Sequence, residues 1–510
     1  MLLITIILSY FYSVHSYNYL VYNPLFAHSH SNFMGKIADT LAEAGHNVTI
    51  LSPVVQESMR NKTYSRLVKD VVYIEVDQKI RDLAAQQEAG ELGRYWTTDS
   101  SIRELIPTYQ YFIKQKIFLD IYNKQHVLDQ LKNRKIDVLI FEGFMFSAKA
   151  IRDYLQIPVF IPVASVTHDN KVAELLGEPV NPSYISGYFS NYGNDMTYLE
   201  RVDNVIAYFM GQYFLQWPKL KDLSDPTKVV PLQEEYHLAP FHFINSNPLL
   251  DYSRPLIYKT VQIGGITVDL SRKEQVDKYW DTVLDKRKHT VLVSFGTMFL
   301  SKDMPMSYKT AISTAMKNMD NVTFIWKYED DDTSFANNIP NIVFSKWVPQ
   351  TALLADDRLT AFMTHAGLGS INEVSYLGKP SVICPLFADQ LRNAKMLCRH
   401  NGSIEISKYD LENEQVVRSS LEKIVHDKMY KKNSELLAQR LHKQPVKPKE
   451  LLVKYSEFAA EFGQLPSIDP TIRTMTFVQY HLIDIIILPL SLMIITLLIF
   501  RRLVYKSKVE

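Results

Sequence analysis

The sequence has little cysteine: two residues in 510, Cys384 and Cys398. Two thiols make no disulfide framework, and neither their spacing nor a nearby histidine suggests a metal site. They read as buried residues of a hydrophobic core. Net charge is nearly absent too, because 56 Lys and Arg meet 55 Asp and Glu for a formal +1. No basic face is announced, so nothing points to nucleic acid as a partner. Internal repeats and low-complexity tracts are missing, which excludes a repeat array. What the chain does have is 46% hydrophobic residues, enough for real cores, and a length too great for one domain.

Long apolar runs are confined to the two ends. Residues 1–16 are apolar and close on Val14-His15-Ser16, which reads as a signal peptide with its cleavage site. No Lys or Arg precedes the apolar stretch, and a first buried strand is the alternative. At the other end, 482–500 is a 19-residue run with one charge, Asp484. At about 1.5 Å per residue it nearly spans a hydrocarbon core of about 30 Å. Arg501, Arg502, Lys506 and Lys508 follow in a basic tail, 501–510. Positive charge on the cytosolic side leaves the body on the other side, a single-pass type I arrangement with a lumenal body. Lys506 and Lys508 stand in an arrangement resembling an endoplasmic-reticulum retrieval signal. Sequons at Asn47, Asn61, Asn321 and Asn401 fit a lumenal glycoprotein, though chance places several in a chain this long.

Between the ends, strands and helices alternate. Residues 19–22 read as a strand, 28–33 as a loop, 33–44 as a helix stopped by Gly45, and 48–51 as the next strand, a βαβ unit. Further strands are expected at 136–141 and 159–163, with a helix at 146–155. Residues 165–240 lack clear periodicity and read as loops and short helices. A linker is placed at 251–285. A second α/β region, 286–440, starts with a strand at 290–294 and the glycine turn Ser294-Phe295-Gly296-Thr297. Residues 441–481 read as helices packing back on the first region, 17–250, and as a juxtamembrane segment.

The most informative stretch is 347–394, WVPQTALLADDRLTAFMTHAGLGSINEVSYLGKPSVICPLFADQLRNA. Its apolar run 359–364 fits a buried parallel strand. His365 then stands at the strand's carboxyl end, Gly367 and Gly369 permit a tight turn, and 370–377 reads as a helix ended by Gly378 and Pro380. That turn offers N–H groups and a helix N-terminus to a diphosphate. Trp347 supplies a flat face for a base. Gln350 and Glu373 suit ribose hydroxyls, and Asp389-Gln390, after a second strand, suits a sugar. Taken singly, each residue has a plainer reading as core, helix face or loop.

Together they resemble the donor-binding signature of the UDP-glycosyltransferase family, in its membrane-anchored animal form. The resemblance extends from the turn after the first strand to the terminal apolar run. It implies two Rossmann-like domains facing a cleft, the GT-B type, with 17–250 binding the acceptor and 286–440 the UDP-sugar. It assigns uracil to Trp347, ribose to Gln350 and Glu373, and the diphosphate to His365 with Gly367, Ser370, Ser294, Gly296 and Thr297. The sugar falls to Asp389 and Gln390. Many members have His-Pro where Asp356-Asp357 stand here. His30, in the Ser-His motif of Ser29-His30-Ser31, aligns with the catalytic base, with His28 as its rival. Glu142 occupies the place of the family's orienting aspartate, with Asp137 as the fallback.

The resemblance implies inverting transfer of glucuronic acid or glucose to a hydroxyl of a small lipophilic acceptor. UDP-sugar is the co-substrate, and neither metal nor other cofactor is expected. Asp330 and Asp332 do satisfy an Asp-x-Asp pattern, but in an acidic run that reads as a solvated loop. Alternatives are a catalytically idle member holding a lipophilic ligand or partner, and a transferase acting on a lipid intermediate. The sugar is not readable. Arg254 is a candidate for a uronate carboxylate on position alone, against a surface salt bridge. Oligomeric state, homo- or hetero-, stays open.

Overall fold

The computed structural model describes residues 16–509 apart from 63, 83–90, 100–124, 144, 146, 169, 188–191, 215–218, 222–228, 232–235 and 269–274. The signal-peptide reading therefore falls almost wholly outside the described residues. Seven short apolar runs form a first sheet: β1 (Asn18–Tyr22), β2 (Asn47–Val54), β3 (Val71–Glu75), β4 (Val138–Glu142), β5 (Val159–Ala164), β6 (His242–Ile244) and β7 (Thr260–Gln262), in the order β3-β2-β1-β4-β5-β6-β7. Six more form a second: β8 (His289–Ser294), β9 (Val322–Lys327), β10 (Ile342–Ser345), β11 (Leu359–Thr364), β12 (Ser381–Ile383) and β13 (Ser403–Glu405), ordered β10-β9-β8-β11-β12-β13. All pairings within both sheets are parallel.

Parallel sheets are covered on both faces, so their strands are apolar rather than alternating. β4 and β9 are buried at every position. In each sheet the order reverses beside the first strand. β1 lies between β2 and β4, and β8 between β9 and β11. At such a point the connections leave on opposite faces and open a crevice at the strands' carboxyl ends, where ligands bind.

Three features tie the halves together. Residues 245–251 leave β6 and bury Asn245, Ser246, Asn247 and Asp251 against the second domain. Asn247 Nδ2 donates to Tyr376 Oη (3.1 Å) and to Gln444 Oε1 (3.0 Å). Arg392 meets Asp251 at 2.6 Å, with both side chains buried. A short turn of 3-10 helix, Glu91–Trp96, sends Tyr95 and Trp96 into the core around Phe295, Phe299 and Phe324. Buried Lys408 donates to the carbonyls of Tyr95 (2.9 Å) and Thr98, so these first-half residues pack on the second half. The late helix Pro448–Phe462 returns to the first domain. Leu452 and Ala459 enter that domain's core, and Lys449 pairs with Glu43 at 3.0 Å.

Several boundaries differ from the sequence reading. β7 lies inside the stretch read as a linker, because three residues carry no visible periodicity. The region read as loops and short helices holds a 17-residue helix, Tyr198–Phe214. The terminal helix, Ile483–Val509, runs on through the basic tail instead of stopping at Phe500, since Lys and Arg are good helix formers. Its stretch Ile483–Tyr505 is long and apolar enough to cross a membrane and is not buried against the body.

Burial alone would push the Asp251 carboxyl up, but Arg392 and the hydrogen bonds from Ser246 and Tyr252 hold it below its ordinary value. A depressed carboxyl contributes stability above its unfolded pKa of about 4 and loses it as the pH falls toward the folded value. Arg392→Met strands that charge and is expected to cost about 3–5 kcal/mol at pH 7 in urea unfolding. A loss below about 1 kcal/mol contradicts this account of the junction.

Candidate active site

The first-domain half grows from the switch point between β1 and β4. Helix α1 (His28–Glu43) follows β1 and buries Phe33, Met34, Ile37, Ala38 and Leu41 on one side. It begins five residues before the expected start, so His30 stands in its first turn and not in a loop. Ser and Asn in Ser29–Asn32 look like turn formers in sequence, but the apolar stripe behind them extends the helix backward. His30 Nδ1 lies 3.2 Å from Glu142 Oε2. A carboxylate only accepts, so Nδ1 carries the proton and Nε2 is the nitrogen able to take one. Glu142 is the last residue of β4, not a loop residue. Its exposure is 1%. Oε1 accepts from the Ser165 backbone N–H at 3.0 Å, and Oε2 accepts from the Ser165 hydroxyl. Ser165 escaped the sequence reading because nothing local marks it.

Asp137 does not compete for His30. Its carboxylate accepts from the backbone N–H and side-chain amide of Asn18 at the other end of the strand. His28 is engaged elsewhere, 3.1 Å from Lys62 Nζ through Nε2 and 2.5 Å from Tyr64 Oη through Nδ1. Burial, with Lys62 and Lys327 adding to it, lowers its pKa to about 4.

The second-domain half stands at the switch point between β8 and β11. Ser294 ends β8, and Gly296 follows with φ +85. A Cβ on Gly296 would lie 2.6 Å from His365 Cε1, and one on Gly367 would lie 2.7 Å from His365 Nε2. The imidazole is therefore walled by bare backbone. Thr297 is exposed at the rim. Burial, then Lys327, lowers the His365 pKa to about 4, so the ring is a neutral donor at physiological pH. Lys327 ends β9 and donates to the Gly296 carbonyl (2.9 Å) and to Glu329 (2.5 Å). The sequence reading missed this buried cation. Ala366 and Ala388, at φ +67 and +53, hold left-handed backbone at about 1 kcal/mol or more each, and they flank His365 and Asp389.

Helix α2 (Gln350–Ala355) and helix α3 (Leu368–Leu377) carry the next group. Gln350 Nε2 lies 2.5 Å from Glu373 Oε2 and 3.1 Å from Ser370 Oγ. Thr351 Oγ1 reaches Glu373 Oε1 at 2.5 Å. Trp347, just before α2, is 63% exposed, an unusual cost for an indole and suited to a stacking face. Lys62, from the first domain, lies 5.8 Å over that ring. Helix α4 (Gln390–Cys398) begins at Gln390, whose Oε1 accepts from the N–H groups of Leu386 and Phe387. Gln390 thus shapes the loop backbone as well as lining it. Asp389 is half-buried, and desolvation raises its carboxyl pKa, while Asn393 and His30 act in the opposite sense. Asn393 also donates to the Ala366 carbonyl at 3.2 Å, tying the two loops together. Lys62 over the Trp347 ring and the hydrogen bond from Asn372 Nδ2 to Asn245 Oδ1 set the two halves against each other. Arg254 is turned into the first domain, where it donates to Asn170 Oδ1 at 3.0 Å and contacts the His168 carbonyl, so it is not gathered with the donor-side residues.

Residues 20–509 match the family described as UDP-glucoronosyl and UDP-glucosyl transferase. UDP-glucuronosyltransferase 1A9 of Mus musculus is 25% identical over 90% of this chain and 86% of its own length. A UDP-glycosyltransferase of Dactylopius coccus is 26% identical over 95% of this chain and 91% of its own. Among solved structures, Os79 of O. sativa in complex with U2F and trichothecene superposes with TM-score 0.61 at 14% identity, covering 88% of this chain and all of that one. A UDP-glucosyltransferase of Polygonum tinctorium gives TM-score 0.56 at 15% identity over 91% and 99%. These likenesses identify the architecture as GT-B, with two Rossmann-like domains. The chain belongs to the UDP-glucuronosyl and UDP-glucosyl transferase family and is a transferase that moves a sugar from a UDP-sugar to an acceptor.

Proposed function

We propose that this protein transfers glucuronic acid or glucose, with inversion, to a hydroxyl of a small lipophilic acceptor, with His30 as general base. The observation that carries the proposal is the buried Glu142 carboxylate 3.2 Å from His30 Nδ1, which leaves Nε2 able to take a proton. Glu142 fixes the tautomer and stabilises the imidazolium that forms when Nε2 takes the acceptor's proton. The oxygen so freed attacks the anomeric carbon, and the bond to the diphosphate breaks. Charge then gathers on the departing UDP. The N-terminus of α3, the neutral His365 and Ser294-Phe295-Gly296-Thr297 supply donors for it, and no metal or other cofactor is assigned. Trp347 takes uracil, Gln350 and Glu373 the ribose, and Asp389 with Gln390 the sugar hydroxyls.

The cellular setting is part of the same proposal. The apolar N-terminus, the terminal helix, the basic tail and the Lys506–Lys508 spacing support a single-pass type I protein of the endoplasmic-reticulum membrane with its catalytic body in the lumen. Turnover of UDP-glucuronate and UDP-glucose side by side assigns the sugar.

His365→Ala is expected to abolish UDP binding in calorimetry, and wild-type affinity in that variant refutes the donor-site assignment. His30→Ala is expected to keep UDP binding and lower kcat by about 10²-fold or more. Transfer at the wild-type rate in His30→Ala places the base elsewhere.

A further inference from the structure

A chain of buried polar groups runs from the donor-side helix α3 to His30 across the domain junction. Asn372, beside Glu373 on α3, donates through Nδ2 to Asn245 Oδ1 at 3.1 Å. Asn245, just beyond β6 of the first sheet, donates through Nδ2 to the Ser165 carbonyl at 2.9 Å. Ser165 donates its N–H and its hydroxyl to Glu142, which accepts from His30 Nδ1. Asn372, Asn245, Ser165 and Glu142 are all buried, so water is poorly placed to substitute for a lost link. We infer that Asn245 and Asn372 are positioning residues for transfer, aligning the Glu142–His30 pair with the helix that holds the nucleotide. The inference rests on the reading of His30 as base.

The polarity of the chain is what makes this more than packing. Asn245 uses one amide oxygen toward α3 and one NH2 toward Ser165. Rotating the amide would set oxygen against the Ser165 carbonyl and NH2 against the NH2 of Asn372. Every donor between α3 and Glu142 therefore points from the second domain toward the carboxylate. An apolar residue at 372 would fill space, but it would leave the Asn245 oxygen buried and unmatched. Asn372 faces the first domain, whereas Ser370 and Glu373 face Gln350. One helix thus presents its donor-side residues to one domain and its link to the base to the other.

The test uses the full chain in detergent, with UDP for calorimetry and UDP-glucose or UDP-glucuronate with 1-naphthol for transfer. Asn372→Ala is expected to lower kcat about tenfold while the UDP Kd and the donor KM stay within about twofold of wild type. Asn372→Asp sets a carboxylate against Asn245 Oδ1 at neutral pH and lowers kcat further. Its kcat relative to wild type at the same pH is expected to rise as the pH falls, because a protonated carboxyl donates again. Thermal melting checks that each variant folds, and Asn372→Ala serves if Asn372→Asp does not. Wild-type kcat in Asn372→Ala, or a changed donor KM with unchanged kcat, overturns the inference, as does a flat ratio across pH in folded Asn372→Asp. His30→Ala separates the two readings. If it transfers normally, the base assignment fails. If it is inactive while Asn372→Ala is normal, only the positioning role fails.

Discussion

The structure depends on a buried polar junction between two sheets that could otherwise drift apart. Asn245, Ser246, Asn247 and Asp251 lie within seven residues of one another, and all four are buried. Groups of this kind cost free energy unless each is hydrogen-bonded. Asn245, Asn247 and Asp251 are met by Asn372, Tyr376, Gln444 and Arg392, on the other domain or on the segment that follows it, and Ser246 donates to Asp251. Separating the domains would leave these groups to find water one by one. Hydrophobic packing fills the cores, but this polar set fixes which faces meet and in what orientation.

That orientation sets two switch points against each other. His30 and Glu142 rise from β1 and β4, and Ser294, Gly296 and His365 from β8 and β11. Each half would be an ordinary crevice at the end of a parallel sheet. Facing each other, one carries the His30–Glu142 pair and the other the neutral His365 walled by glycine backbone. The left-handed Ala366 and Ala388 show where the second half accepts backbone strain to bring His365 and Asp389 inward.

Much of this was legible in the sequence. The strand 359–364, the position of His365 after it and the helix ended by Gly378 follow from apolar runs and glycine punctuation, which are local signals. The Gln350–Glu373 contact is foreshadowed by the reading of both residues as ribose partners, made on residue type and position and repeated by the resemblance. The start of α1 was missed because a turn of helix with no side-chain cap and a Ser- and Asn-rich sequence looks like a loop. Ser165, Lys327, Asn245 and Asn372 were invisible for a different reason. Each acts through a partner that strand order brings near, and strand order is not written in periodicity. Tyr95 and Trp96 sit in the first half of the chain but pack on the second, which no local pattern announces.

The central claim is that His30 and the UDP cradle act from opposite sides of one cleft in a single displacement. The most direct measurement is the anomeric configuration of the transferred sugar, read by NMR on product formed from an α-linked UDP-sugar. The account predicts a β-linked product. An α-linked product would contradict it and would require a different arrangement of base, donor and acceptor.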